Sequence, residues 1–274
     1  QAGEISGAIT YPGSQSGPVI VRAAQTLSGN QVLNLDGNGD YASTTVTDLS
    51  GSELTIQYWF KGNSMQSAVR QQSGGFLVAG WNNQHILSHD GGTAGISAGE
   101  GVNDGQWHHV LMTWKQGTAG GFASYLDGKL VTRRDSADAP IPNHNAQVNF
   151  GSFNGTEEFA QGQLDDIAIW RRALTEVEVT SGWNRRLTGN EADLVGYWSF
   201  DDATPNDASP NQNHAELWGD AVIQAADIPG LGGGLAEQVL AEPGSYTLGN
   251  LPDGPGYSVT AFRDATGNLR QNAG

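Results

Sequence analysis

The 274-residue chain carries 29 acidic residues against 13 basic ones, a formal charge of −16, so a phosphate backbone would be repelled and nucleic acid is not an expected partner. There is no cysteine, which removes disulfides and thiolate chemistry, and no apolar run reaches the roughly 18 residues that a membrane-spanning helix needs. With 39 Gly, 10 Pro, 8 Trp, 7 Tyr and 8 Phe, the composition suits many short strands joined by tight turns and predicts an all-β protein.

Strand-like runs recur about every ten residues: EISGAITY, PVIVRAA, VLNLDG, LTIQYWFKG, GFLVAGW, HILSH, HHVLMTWKQ, FASYLDGKLV, QVNFGSF, GQLDDIAIW, LVGYWSF and YSVTAFRD. Most alternate apolar with polar residues, the period of a half-buried strand. In LTIQYWF this sets Leu54, Ile56, Tyr58 and Phe60 on a packing face and Thr55, Gln57 and Trp59 on a face open to ligands. One helix is expected, within ALTEVEVTSGWNRRLTG, opened by a capping box of Thr175 and Glu178 and ended by Gly189. Pro229 to Gln238, PGLGGGLAEQ, reads as a hinge. The pieces outside the centre, GEISGAITYPGSQSGPVIVRAA and GSYTLGNLPDGPGYSVTAFRDATGN, are each too small for a core of their own. Together they supply the strands of one small split sandwich. The opening QAGEISG has no signal-peptide pattern, and the chain reads as part of a longer multidomain protein.

The run LNLDGNGDYAS, LTIQYWFKG, GQWHHVLMTWKQG, ASYLDGKLV, GQLDDIAIWRRALTEVEV and LVGYWSFDD resembles, in order and spacing, the laminin G-like, concanavalin A-like lectin superfamily, in particular its pentraxin-like jelly rolls. The resemblance covers about Asn30 to Ile228 and implies two antiparallel sheets packed face to face. The outer pieces are similar to transthyretin-like or Ig-like modules of bacterial surface proteins. The expected architecture is therefore an antiparallel jelly-roll sandwich, residues 29–231, inserted into a small split β-sandwich made of residues 1–28 and 232–274. Such a protein is expected to be secreted or displayed on a cell surface.

The stretch LDGNGDY, Leu35 to Tyr41, has two readings. One is a hairpin with a primed Asn38-Gly39 turn; the other is a calcium corner, since calcium takes carboxylate and backbone carbonyl oxygens together. The resemblance implies a structural calcium joining the start of the jelly roll to its last strands. Its expected ligands are Asp36 or Asp40, the carbonyl of Gly37, one of Asp165 and Asp166, and Asp202. Adjacent acids on a regular strand point to opposite faces, so only one of each pair reaches a shared ion.

The resemblance also sets the loop AGWNNQHILSHD against GSFNGTEEF, where pentraxins hold ligand-binding calcium. Here that pairs Asn82 and Asn83 with Asn154, Glu157 and Glu158, with fewer carboxylates than the family uses. The same loop suits a sugar, whose apolar ring face wants an aromatic plate and whose hydroxyls want amides and carboxylates. Trp81, Asn82, Asn83, His85 and His89 meet that description, against a plainer reading of Trp81 as core and both histidines as solvated. His108 and His109 alternate in WHHV and cannot share one ion. Trp59, Trp114, Trp170 and Trp198 sit inside strand patterns and read as core. RDATGN, Arg263 to Asn268, reads as a turn or a surface calcium loop.

The superfamily includes polysaccharide-active enzymes, but no run here sets two carboxyls on one strand face in the spacing a glycosidase needs. The expected function is a non-catalytic, calcium-stabilised carbohydrate-binding module whose partner is a polysaccharide or other glycan. The alternative is an adhesive spacer that recognises a surface protein.

Overall fold

A computed structural model describes residues 2–10, 17–25, 29–46, 49–64, 66–71, 76–81, 84–89, 96–97, 99, 101–136, 146–231, 235–252 and 256–263, the side chains of 2, 76–81, 84, 86–89, 146, 235, 250 and 252 being left aside. The first strands are β1 (Ala2–Ala8), β2 (Val19–Gln25), β3 (Gln31–Asp36), β4 (Tyr41–Val46), β5 (Glu53–Ser64), β6 (Val69–Gln71), β7 (Phe76–Trp81), β8 (Gln84–His89) and β9 (Ile96–Ser97). Next come β10 (Trp107–Lys115), β11 (Phe122–Leu126), β12 (Lys129–Arg134), β13 (Ala146–Phe150), β14 (Gln161–Trp170), the helix α1 (Glu176–Gly182) and β15 (Leu194–Trp198). The last are β16 (Glu216–Trp218), β17 (Val222–Ala225), β18 (Leu235–Leu240), β19 (Ser245–Pro252) and β20 (Tyr257–Arg263). The chain divides into two compact units, Gln1–Ser28 with Asp227–Gly274, and Gly29–Ala226.

The larger unit is an antiparallel sandwich of the jelly-roll kind. One sheet runs β12-β11-β10-β5-β14-β3-β17, with β15 also paired to β14, and the other runs β16-β4-β13-β6-β7-β8-β9. Leu54, Ile56, Tyr58 and Phe60 of β5 face the shared core with Ala42, Val69, Val148, Phe150, Leu164 and Trp198. Phe150 and Trp198 meet edge to face at 4.8 Å, a geometry worth about 0.5–1.5 kcal/mol beyond burial itself.

The opposite face of β5 is not open to ligands. Thr55, Gln57 and Trp59 are buried as well, because the segment after β14 folds back over them: Thr55 Oγ1 donates to the Arg172 carbonyl and accepts from the Leu174 amide. Trp59 meets Trp183 at 5.6 Å. The helix responsible has the expected capping box of Thr175 and Glu178 but ends at Trp183, not Gly189, its Val179 sealed against Leu111, Ala123 and Tyr125.

In the smaller unit the first and last pieces of the chain do pair. β1 lies antiparallel to β19, and β2 lies between β18 and β20. Val19, Val21, Ala23, Leu248 and Leu251 form its core. Residues 227–231, assigned from sequence to the jelly roll, fall with this unit, where the Gly230 amide donates to the Gln25 carbonyl at 2.9 Å.

Candidate functional site

LDGNGDY is not a hairpin, because the strands it joins, β3 and β4, belong to opposite sheets. Gly37 and Gly39 take φ of 87° and 89°, a region that costs glycine nothing, and the chain crosses the rim of the sandwich. The Asp36 amide donates to Asp40 Oδ2 at 3.1 Å and the Asn38 amide to Asp36 Oδ1 at 2.7 Å. The partner that closes this corner comes from 180 positions later in the chain: the Asp220 amide donates to Asp40 Oδ1 at 2.8 Å. Between Trp218 and Asp220 the backbone turns at Gly219, φ 72°, where a Cβ would stand 2.6 Å from Asp40 Oδ1 and from the Gly39 carbonyl oxygen. Ligand oxygens of Asp36, Asp40 and Asp220 all lie within 4.8 Å of one another.

This clip locks an aromatic plate in place. Trp218 of β16 is directly opposite Tyr41 of β4, and their rings stack at 5.9 Å, 4° from parallel. Trp218 remains 47% exposed. Phe159 adds a third ring 6.4 Å from Tyr41. Because Ala42 is core, Tyr41 and Ser43 project to the outward face, and the register extends a polar row across it: Glu216, Ser43, Asn149 and Arg70 are successive cross-strand neighbours. Gln147 Nε2 donates to Ser43 Oγ, which donates to Asn149 Oδ1, both at 2.8 Å. That relay orients the Asn149 amide, whose buried Nδ2 has no hydrogen-bond partner among the described residues. The Arg70 guanidinium lies over the Phe153 ring at 3.3 Å.

Three of the residues expected to bind ligand border this face. Asn154 Nδ2 donates to Glu157 Oε1 at 3.0 Å, while Glu158 Oε2 accepts from Ser67 Oγ at 3.0 Å. Their loop is braced from within by the Ser152 hydroxyl, which donates to the Glu157 carbonyl and accepts from the Gly155 amide. Asn82 and Asn83 lie outside the described residues, as do the side chains of Trp81 and His89 and the segment Asp264 to Asn268.

His85 is a correction: it is fully buried in the sandwich, with Nδ1 hydrogen-bonded to the Tyr58 hydroxyl and Nε2 3.3 Å from Asn103 Oδ1. Burial pushes its imidazole down to about 4, so it stays neutral and serves packing. His108 and His109 diverge as strand alternation requires. His108 bonds Asp104 and Asp127, and His109 is enclosed by Trp59 and Trp183.

The expected calcium set is also corrected. Asp202 only caps a surface turn, accepting from the Thr204 amide and hydroxyl. Asp165 and Asp166 belong to a separate buried network. A bulge interrupts the pairing of β14 with β5 between Asp165 and Ala168, and Asp166 takes φ 46°; the alternation that would aim the two acids apart fails there, and both are buried. Asn30 Nδ2 donates to Asp165 Oδ2 at 2.8 Å, the Tyr197 hydroxyl donates to Asp166 Oδ1, and Arg186 Nη2 bridges Asn30 Oδ1 and Asp201 Oδ1. Burial raises Asp165 well above the carboxylate range, with the Asp166 charge adding to it, and raises Asp166 to about 7. The arginine supplies the positive charge in this network.

Trp218 escaped the sequence reading because AELWGD, Ala215 to Asp220, is too short to show alternation. Its one signal was a tryptophan beside a Gly-Asp pair, repeating the Asp-Gly chemistry of the corner it joins.

Residues 36–180, more than half of the chain, match the Laminin_G_3 family, described as the concanavalin A-like lectin/glucanases superfamily. A rat protein with sushi, von Willebrand factor type A, EGF and pentraxin domains is 27% identical over 145 residues, 47% of this chain and 4% of its own length. Human neuronal pentraxin-1 is 28% identical over 147 residues, 46% of this chain and 32% of its own. The chain thus spans a third or less of these relatives. Among solved structures, a candidate carbohydrate-binding protein from Bacteroides ovatus superposes with a TM-score of 0.54 at 12% identity, covering 78% of this chain and 61% of the other. No helix among the described residues is long and apolar enough to cross a membrane. The chain belongs to the Laminin_G_3 family of the concanavalin A-like lectin/glucanase superfamily.

Proposed function

We propose that the larger unit is a non-catalytic carbohydrate-binding module of a secreted or cell-surface protein, and that it grips its glycan on the outward face of the seven-stranded sheet. The observation that carries this reading is the half-exposed Trp218 stacked on Tyr41, on the same face as the exposed Glu216. A pyranose has the same two-part character, an apolar C–H face and a polar rim. The plate is held by cross-strand pairing and by the Gly219 clip, so little ordering is needed on binding. The test is a glycan array probed with the 274-residue protein and with Trp218→Ala in parallel. Binding to at least one polysaccharide is expected, weakened roughly 30-fold by the substitution, the effect of losing an aromatic anchor worth about 2 kcal/mol. Blank wells across plant, marine and host polysaccharides would end the proposal.

Calcium is proposed at the Asp36, Asp40 and Asp220 corner, with the Gly37 carbonyl as a further oxygen. Three carboxylates converging at the rim, in a chain of charge −16, fit a hard cation better than they fit one another. When bound, the ion would offset the repulsion of the acids and tie Asp220, and with it Trp218, to the β3–β4 corner. Chelation is expected to lower the melting midpoint by several degrees, as removal of a ligand specific to the native state does, and to weaken glycan binding. An unchanged midpoint after complete calcium removal would take the ion out of the account.

A further inference from the structure

The sequence contains two Asn-Gly pairs, Asn38-Gly39 and Asn154-Gly155, and the fold treats them in opposite ways. In such a pair the glycine amide nitrogen can attack the asparagine side-chain carbonyl carbon, because glycine has no Cβ to block the approach, provided that both groups are free to reach it. At Asn154 both are tied. Asn154 Oδ1 accepts from the Thr156 amide and hydroxyl at 2.9 and 2.7 Å, Nδ2 donates to Glu157 Oε1 at 3.0 Å, and the Gly155 amide donates to Ser152 Oγ at 2.9 Å. The space beside Gly155 is filled as well, since a Cβ there would stand 2.8 Å from the Tyr41 hydroxyl. At Asn38 neither group is tied. The residue is exposed, and the bond from its main-chain amide to Asp36 Oδ1 leaves the side-chain amide unattached. The Gly39 amide has no hydrogen-bond partner among the described residues, and a Cβ on Gly39 would meet nothing within 4 Å.

We propose that Asn38-Gly39 is a site of spontaneous covalent modification, at which Asn38 loses its amide and the corner is rebuilt through an isoaspartyl linkage. The Gly39 nitrogen gives up its proton and bonds to Asn38 Cγ; the Cγ–Nδ2 bond breaks, and ammonia carries that proton away, leaving a cyclic imide. Water then adds to either imide carbonyl. Opening of the Cγ–N bond gives aspartate. Opening of the bond between the Asn38 main-chain carbonyl carbon and the Gly39 nitrogen gives isoaspartate, whose main chain runs through Cβ and Cγ and is longer by a methylene. Nothing is oxidised or reduced. Either product adds a carboxylate to a corner where oxygens of Asp36, Asp40 and Asp220 already lie within 4.8 Å of one another, which raises the repulsion there. Isoaspartate also displaces Gly39, whose carbonyl oxygen packs closely against Gly219. The modification therefore opens the clip that holds Trp218.

The experiment is peptide mapping of the 274-residue protein after storage in warm neutral buffer, with fragmentation that separates aspartate from isoaspartate. The same protein stored in guanidinium chloride gives the intrinsic rate of each pair. In the folded protein Asn38 should convert at close to its denatured rate, and on the order of tenfold or more faster than Asn154, which must first release its hydrogen bonds. Isoaspartate should appear at position 38. Conversion of Asn154 as fast as that of Asn38, or protection of Asn38 by the fold as strong as that of Asn154, overturns the proposal. The stored protein should also melt several degrees lower than the fresh one. Asn38→Gln, whose longer side chain would have to close a larger ring, should keep both its mass and its midpoint. A fall of the same size in Asn38→Gln overturns the link between this modification and the clip. None of these readouts depends on glycan binding, so they are separable from the test of the proposed function.

Discussion

Asp207→Ala is expected to destabilise the larger unit by on the order of 4 kcal/mol, from the loss of a single carboxylate that contacts no ligand. Asp207 is buried, and its oxygens accept from the amides of Tyr197 and Ser209 at 2.9 and 2.8 Å, the Ser209 hydroxyl at 2.8 Å and the Asn213 amide at 2.9 Å. Alanine leaves three backbone donors without partners in a place where each such orphan costs about 1–3 kcal/mol. That is a large share of the 5–15 kcal/mol that holds a typical domain together. The damage should travel. The Asn213 carbonyl accepts from Thr44 of one sheet and from the Trp198 indole of the other, and the chain runs from there directly into β16. A protein that survives the substitution should therefore bind glycan poorly even though Trp218 is unchanged. Urea titration measures the stability, and Asp202→Ala is the control: it removes two bonds from an exposed turn and should cost under about 1 kcal/mol. Comparable losses for the two variants would refute the assignment of Asp207 as the lock of this segment.

The second large effect is a dependence of stability on pH that originates in the Asp165–Asp166 network. Asp166 is raised to about 7 by burial, against the Tyr197 hydrogen bond and the Arg186 charge, which lower it. The groups facing it are Asp165, Asp201, Arg186 and Tyr197. An aspartate in the unfolded chain titrates near 3.9, so between about pH 4 and pH 7 the folded protein holds a proton that the unfolded chain has released. Stability from this group is complete below about pH 4, declines as pH rises to about 7 and is level above that. The loss amounts to roughly a few kcal/mol. Asp166→Asn keeps an acceptor for the Tyr197 hydroxyl but has no charge to bury. It should match or exceed the native protein at pH 8, with the difference closing as pH falls toward 4. A constant offset between the two proteins across that range would show that the carboxyl is ionised in the fold throughout, with Arg186 compensating it.

Much of this molecule could be read from its residues in order. The alternation of LTIQYWF places Leu54, Ile56, Tyr58 and Phe60 in the core, Trp114, Trp170 and Trp198 are buried as their strand positions imply, and the spacing of Thr175 and Glu178 makes the capping box. These are short-range properties: a strand period and a helix cap are decided within a few residues, so a linear reading reaches them.

What a linear reading does not reach is the identity of the partner across a sheet or a rim. Alternation says that Thr55, Gln57 and Trp59 share a face; only the return of the chain after β14 decides that the face is covered. It assigns Asp165 and Asp166 to opposite sides until a bulge brings Asp166 to the side of Asp165, and it leaves His85 looking like a ligand until Tyr58 and Asn103 enclose it. Asp220 and Trp218 reach the β3–β4 corner across 180 residues of intervening chain, through a pairing of β16 with β4 that three residues cannot announce. The sequence by itself determined the class of fold, most of its core and the chemistry in supply. The tertiary structure alone decided which of those groups meet, because contacts between distant segments depend on how whole sheets close against each other, a choice that local periodicity does not encode.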